Sequence, residues 1–380
     1  MAKFAAALSQ HPLATQAVGE VSGSILEQLQ ADDCDLAVCF ASPHHVGAFE
    51  DIAAALHSIL EPGVLVGGTA VAIVGGAREV EDAPALTVLG ASLERTDLTP
   101  VALRVEETPD GMAVTGWPDA ASDARTLLLF ADPFTFPVDA FLERCNDDLP
   151  DLRIIGGLAS AAAVPGGNRL VLDGEVLTGG AVGVLLDGDV EVRTLVSQGC
   201  RPIGRPFVVT KADRNFVEEL GGKPAIERLQ EVAAGATEEE RALLRTGLHI
   251  GIVVDEHKAE FGRGDFLVRN LFGADQRTGA LAVGDAVGVG QTLQFHIRDA
   301  GAADEDLREL LAAADASAAL LFTCNGRGQH LFGVPDHDAG LVEQLLGEIP
   351  LAGAFCAGEI GPVGGRNFLH GFTASLALFP

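Results

Sequence analysis

Asp35-Leu-Ala-Val-Cys-Phe-Ala41 is a short apolar run whose pattern returns twice, at Thr126-Leu-Leu-Leu-Phe-Ala131 and at Ala319-Leu-Leu-Phe-Thr323. Runs of this length, continuously apolar between their ends, suit strands buried on both faces. The segments after each run also repeat. Beyond the first, His45 to Leu60 carries Val46, Phe49, Ile52, Ala53, Leu56, Ile59 and Leu60 at helical spacing, and Val64-Leu-Val-Gly-Gly-Thr69 is a second strand. Beyond the second, the predicted helix opens with Pro137, Arg153-Ile-Ile-Gly-Gly-Leu158 is the second strand, and Leu170 to Leu177 is a hairpin turning at Asp173-Gly174. The third has a helix from about Ala339 to Leu346, a strand at Pro350-Leu-Ala-Gly-Ala-Phe355 and a closing segment from Phe368 to Phe379.

Alternation of this kind is found in any α/β protein. The recurring Gly-Gly or Ala-Gly turn after every second strand favours duplication of one cassette: strand, helix, strand, glycine loop, strands. Between the second and third cassettes the texture differs. Phe216–Ala234 and Thr237–Thr246 read as helices, the latter with Thr237 and Glu240 at capping-box spacing. Gly247–Arg298 is rich in strands, and Ala303–Ala314 is an amphipathic helix. The expected fold class is α/β: two domains, 31–228 and 229–380, of repeated cassettes forming mixed sheets covered by helices.

A chain of 380 residues, 48% hydrophobic, can bury cores for two such domains. Fifty-four acidic against 25 basic residues give a formal charge of −29, which repels nucleic acid and anionic membrane alike. Scarce Lys beside abundant Arg, Ala and Gly fits a high-GC bacterial genome. No apolar stretch approaches the length of a membrane span, and the N-terminus lacks a secretory pattern, so the expected location is the cytoplasm. The six cysteines have no C-x-x-C spacing and build no local metal site.

Several ordered blocks carry a resemblance. Leu65-Val-Gly-Gly-Thr69, Gly75 to Leu86 and Val196-Ser-Gln-Gly-Cys-Arg-Pro-Ile-Gly204 resemble the FIST N-terminal domain. Gly264-Asp-Phe-Leu-Val-Arg-Asn270, Gln294-Phe-His-Ile-Arg-Asp299, Cys324-Asn-Gly-Arg-Gly328 and Pro350 to Pro362 resemble the FIST C-terminal domain. The resemblance implies a sensory module that binds small ligands, amino acids among them, and some relatives are haem-linked gas sensors. No F-box, kinase, cyclase or methyl-accepting segment is read beside these blocks. An unidentified signalling partner or a homo-oligomer is then the expected route of output.

The strongest local candidate for a ligand site is Cys324-Asn325-Gly326-Arg327-Gly328, directly after a strand. Glycines there can turn backbone N–H groups inward, and ligands of open α/β sheets gather at strand carboxyl ends. Arg327 offers a fork for a carboxylate. The loop after the next strand brings Cys356, Gly358 and Glu359, so an Arg and a Glu could grip the two ends of a zwitterion; equally, they could form an internal pair that stitches two loops. Cys324 and Cys356 read either as packed thiols or as sensing groups. Gln198, Arg201, Arg269 and Asn270 are secondary candidates, each also readable as a structural turn residue. No metal site and no cofactor are expected. The alternatives are a haem sensor, with His296, His330 or His370 as axial ligand, and an enzyme using Cys324 and Glu359, although no recognised catalytic motif is present.

Overall fold

The computed structural model describes residues 2–30, 32–109, 111–118 and 124–380; residue 31, the start set for the first domain, lies outside them. Compactness divides the chain into two discontinuous units. One comprises residues 1–196, 307–369 and 373–380, the other residues 197–306 and 370–372.

In the first unit each cassette forms the centre of a sheet. The opening strands Leu36–Ala41, Thr126–Ala131 and Ala318–Cys324 run parallel to the second strands Val64–Thr69, Arg153–Leu158 and Leu351–Cys356. The closing strands Leu86–Ser92, Ala181–Gly188 and Thr373–Phe379 pair antiparallel on the other side. Side chains of the opening strands alternate between two cores. Leu36, Val38 and Phe40, with Leu128 and Phe130 and with Leu320 and Phe322, share one central cluster. Residues between them face outward beneath helices, as Ala37 and Cys39 do beneath Ala14–Leu29 and Phe49–Leu60. Phe40, Phe130 and Phe322 occupy equivalent places in the three cassettes. Their rings meet at centroid separations of 5.1, 5.6 and 6.0 Å, so the repeat in the sequence is an approximate three-fold arrangement in space.

The glycine loops do not stay with their own cassettes. The hairpin of the first, Ala72–Gly75 and Arg78–Glu81, pairs with the second strand of the third. The hairpin of the second, Leu170–Leu172 and Glu175–Leu177, pairs with the first, and that of the third, Glu359–Val363 and Arg366–His370, with the second. A cyclic exchange of hairpins therefore completes all three sheets. Asp173 and Gly174 both have positive φ (48° and 84°), the signature of a type I′ turn at the position the sequence indicates.

The second strands bear Gly67, Gly156 and Gly353 at matching positions. A Cβ there would stand 1.8, 1.9 and 1.9 Å from the carbonyl oxygens of Cys39, Leu129 and Leu321. Glycine at these places permits close approach of the neighbouring backbone.

The second unit contains an antiparallel barrel. Its strands follow the order Cys200–Asp213, Thr292–Arg298, Leu248–Val253, Phe266–Ala274, Leu281–Val283 and Phe216–Leu220, which returns to Cys200–Asp213. Ile203, Phe207, Ile250, Ile252, Leu293, Phe295 and Ile297 fill its interior. Two sequence expectations change here. Phe216–Leu220 is a strand, ended by the left-handed pair Gly221-Gly222, and helix begins only at Ala225. The amphipathic helix expected at 303–314 runs from Ala300 to Ala312. The capping box of helix Glu238–Thr246 forms as expected, Thr237 and Glu240 exchanging hydrogen bonds of 3.0 and 3.1 Å.

Candidate functional site

At the carboxyl end of Ala318–Cys324, the turn places Arg327 in the interior of the first unit, fully buried. Its Nε and Nη2 donate to the two oxygens of Asp338 at 2.7 and 2.8 Å. Thr323 Oγ1 donates to the same carboxylate at 2.7 Å, and His337 Nδ1 lies 2.9 Å from it. Burial alone would raise the pKa of Asp338, but the Arg327 charge and these hydrogen bonds outweigh it and hold the carboxyl well below the usual range. The Phe332 ring stacks on His337 at 3.4 Å and lies 5.1 Å from the Arg327 guanidinium carbon. Nη1 of Arg327 has no hydrogen-bond partner among the described residues.

Glu359 is also fully buried, and its Oε2 accepts from Thr373 N and Oγ1 at 3.2 and 2.7 Å. Its charge acts on both Arg327 and Cys356. Arg327 and Glu359 thus belong to one neighbourhood, while the bidentate carboxylate partner of Arg327 is Asp338. Cys324 and Cys356 are directly opposite one another on parallel strands, both buried and unbridged. Burial, then the charge of Glu359, pushes the Cys356 thiol well above its ordinary pKa, the opposite of an activated nucleophile. Gly328 has φ +61°, and a Cβ there would meet Glu81 Oε1 at 2.8 Å. Gly358 O accepts from Leu158 N at 2.9 Å, Gly326 is half-buried, and Asn325 alone in this turn is exposed, its backbone N–H donating to Cys356 O at 2.9 Å.

Glu79, from the exchanged hairpin, reaches the same place. Its Oε1 accepts from Ala339 N at 2.9 Å, whereas Oε2 has no partner among the described residues. Burial first, and the Asp338 charge second, push its pKa up to about 8. Asp338 and Glu79 escape sequence reasoning because an acid at a helix start or on a hairpin reads as a solvated or capping group. Three clefts in this unit, of about 490, 410 and 580 Å³, include Leu351, Phe4 and Thr126 in their walls, and none of the ligand residues expected from sequence lines them.

The secondary candidates lie in the second unit. Gln198 donates from its backbone to Asp306 and from Nε2 to Phe266 O, at 2.7 and 2.8 Å. Arg201 bridges Asp299 and Glu240, and Arg269 pairs with Asp285 at 2.8 Å. Asn270 differs, because strand register sets it across from His249, which is itself across from His296. Three side chains on this outer wall of the barrel escape sequence reasoning as a group: His249, His296 and Arg298. His249 and His296 are 7% and 1% exposed. Nδ1 of His249, Nε2 of His296, and Nε and Nη2 of Arg298 have no hydrogen-bond partner among the described residues.

The Phe372 ring covers two of them, 4.1 Å from the His249 ring and 5.2 Å from the Arg298 guanidinium carbon, while the His296 ring packs against Phe266 at 4.8 Å. Phe372 has φ +68°, a strained conformation for a bulky residue. Burial pushes the pKa values of both histidines down to about 4, with Arg298 and His296 adding to the effect at His249. Two imidazoles are thus set side by side on adjacent strands, with a guanidinium next to them. His330, the second histidine of the haem alternative, is exposed on a short helix. Among the described residues no group of three or more His, Cys, Asp or Glu side chains is placed to hold a metal.

Family models match the chain over residues 35–223 (FIST N domain) and 225–362 (FIST C domain). The chain belongs to the FIST family. FIST domains are associated with sensory and signalling roles. An uncharacterized protein of Mycobacterium bovis is 47% identical over 374 residues, covering 97% of this chain and 96% of its own length. An uncharacterized protein of Mycobacterium tuberculosis is 46% identical over 378 residues, covering 98% of each. The two FIST segments meet near residue 224, a division along the sequence; the compact units divide the chain differently in space. Among the described residues no helix is long and apolar enough to cross a membrane.

Proposed function

We propose that this FIST protein is a small-molecule receptor that recognises its ligand without transforming it. One observation carries the reading: on the barrel wall, His249, His296 and Arg298 hold buried nitrogen atoms without a hydrogen-bond partner among the described residues. Buried polar groups are ordinarily satisfied, and leaving them unmade costs about 1–3 kcal/mol each. Such hydrogen-bonding capacity is what a receptor offers a polar metabolite, an amino acid or a compound of similar size. The Arg327–Asp338 pair is an internal strut in this reading, and Cys324 and Glu359 are packing groups beside it. The protein works in the cytoplasm, with no resident cofactor, and passes its signal to a separate protein or through a homo-oligomer. A formal charge of −29 disfavours nucleic acid and anionic membrane as partners.

A thermal-shift screen of the full chain against a metabolite panel tests this. A compound at 100 times its Kd stabilises the folded state by about 2.7 kcal/mol. The reading expects at least one stabiliser, recovered unchanged after incubation. Turnover of that compound would make the protein an enzyme, and a panel with no stabiliser would remove the receptor.

A further inference from the structure

The barrel-wall cluster specifies more than polarity. Nδ1 of His296 lies 3.1 Å from the Gln294 carbonyl oxygen, which can only accept, so Nδ1 carries the proton. With the ring neutral, Nε2 then presents a lone pair and asks for a donor. Arg298, two residues along the same strand face, presents donors only. His249 is directly opposite His296, and its Nδ1 can donate or accept according to tautomer. A complementary ligand therefore has an anionic acceptor at one end and a hydrogen-bond donor close to it.

The donor could be an ammonium or a hydroxyl, and the surroundings decide between them. The charged side chain on the same strand face as His296, and acting on His249, is the Arg298 guanidinium. An ammonium would be set beside a guanidinium of like charge, whereas a hydroxyl donates without adding charge.

Resting on the receptor reading, we propose that His296, with His249 and Arg298 beneath Phe372, binds a small hydroxycarboxylate. Its carboxylate sits on Arg298 and the Nδ1–H of His249, and its hydroxyl donates to Nε2 of His296. Arg298 is partly exposed and marks the entrance. Phe372, held in a left-handed conformation over two of the three groups, is the piece that shifts to admit the ligand.

Matched pairs that differ only in hydroxyl against ammonium test this: L-lactate with L-alanine, L-malate with L-aspartate, D-glycerate with D-serine. Calorimetric titration of the full chain should show binding by a hydroxy acid, with its amino partner weaker by roughly tenfold or more. Arg298→Gln should lose that binding while its thermal unfolding without ligand stays close to wild type. Phe372→Gly, which relieves the strained φ and keeps every polar group, should bind the same hydroxy acid with altered affinity. An amino acid binding more tightly than its hydroxy partner overturns the proposal and leaves the receptor reading intact. So does unchanged binding in Arg298→Gln, or no heat from any of the three hydroxy acids at millimolar concentration. Only failure of the wider metabolite panel removes both.

Discussion

Arg327→Met tests whether the buried guanidinium supports the fold. The side chain is fully buried, and two of its nitrogens are committed to Asp338 at 2.7 and 2.8 Å. Methionine keeps much of the length and volume and removes the charge. Asp338 would then be a buried carboxylate left with Thr323 and His337, and breaking such a pair from one side costs about 3–5 kcal/mol. Asp338→Asn should cost a similar amount, because it leaves the cation without its counter-charge. The double variant removes both charges and should recover roughly 2–3 kcal/mol of the summed loss, the coupling measured by the cycle. Trp117, the chain's one tryptophan, packs against Phe141 in the same unit, so its emission during urea titration reports unfolding there. The coupling should hold constant from neutral pH down to about 4. Asp338 has a depressed pKa, so its contribution is fully present above the unfolded value and is lost as pH falls through the folded one. A loss below about 1 kcal/mol in Arg327→Met, or strict additivity in the double variant, would refute the strut.

Glu79→Gln should gain on wild type as pH rises from about 5 to 8, by up to roughly 2–4 kcal/mol in unfolding titrations. The raised pKa of Glu79 gives stability that is complete below its unfolded value and lost on passing about 8, and glutamine mimics the protonated form. His249 and His296 slope the other way. Their pKa values, pushed down to about 4, mean that the barrel unit should lose stability as pH falls below about 6.5, and His296→Gln should flatten that loss. Phe322→Ala, at the meeting of the three sheets, should cost about 3–5 kcal/mol by the same Trp117 readout. Gly156→Ala places a Cβ 1.9 Å from the Leu129 carbonyl oxygen and should abolish soluble expression, while Gly23→Ala, in open space on the helix Ala14–Leu29, should not.

The three cassettes were legible because local rules govern them: apolar runs of strand length, helical spacing after each, and the Asp173-Gly174 turn. The exchange of hairpins was not, because alternation tells which face of a strand is covered and never which strand lies beside it. In the barrel, Phe216, Val217 and Leu220 mimic helical spacing, and Gly221-Gly222 is the sign that a helix cannot continue there. The turn holding Arg327 was visible from its glycines and its place after a strand. Its partner Asp338 was not, since the contact is set by how the helix His337–Leu346 returns to the sheet. Likewise, His249 and Arg298 alternate with Ile250 and Ile297, so they read as solvent-facing members of amphipathic strands, and nothing in the sequence shows that the distant Phe372 packs over them.

The traded hairpins bear on how this chain can be divided. A fragment ending near residue 224 would contain every strand of the first sheet, but its second would lack Glu359–Val363 and Arg366–His370 and would present Arg153–Leu158 as a bare edge. The remaining piece would be short of Ala72–Gly75 and Arg78–Glu81 at one edge of the third and of Arg193–Gln198 at the other. Expressed alone, each fragment should clump through its open margin; made together in one cell, they should reassemble. Family segments that look like separate modules along the sequence are, in this protein, mutual templates.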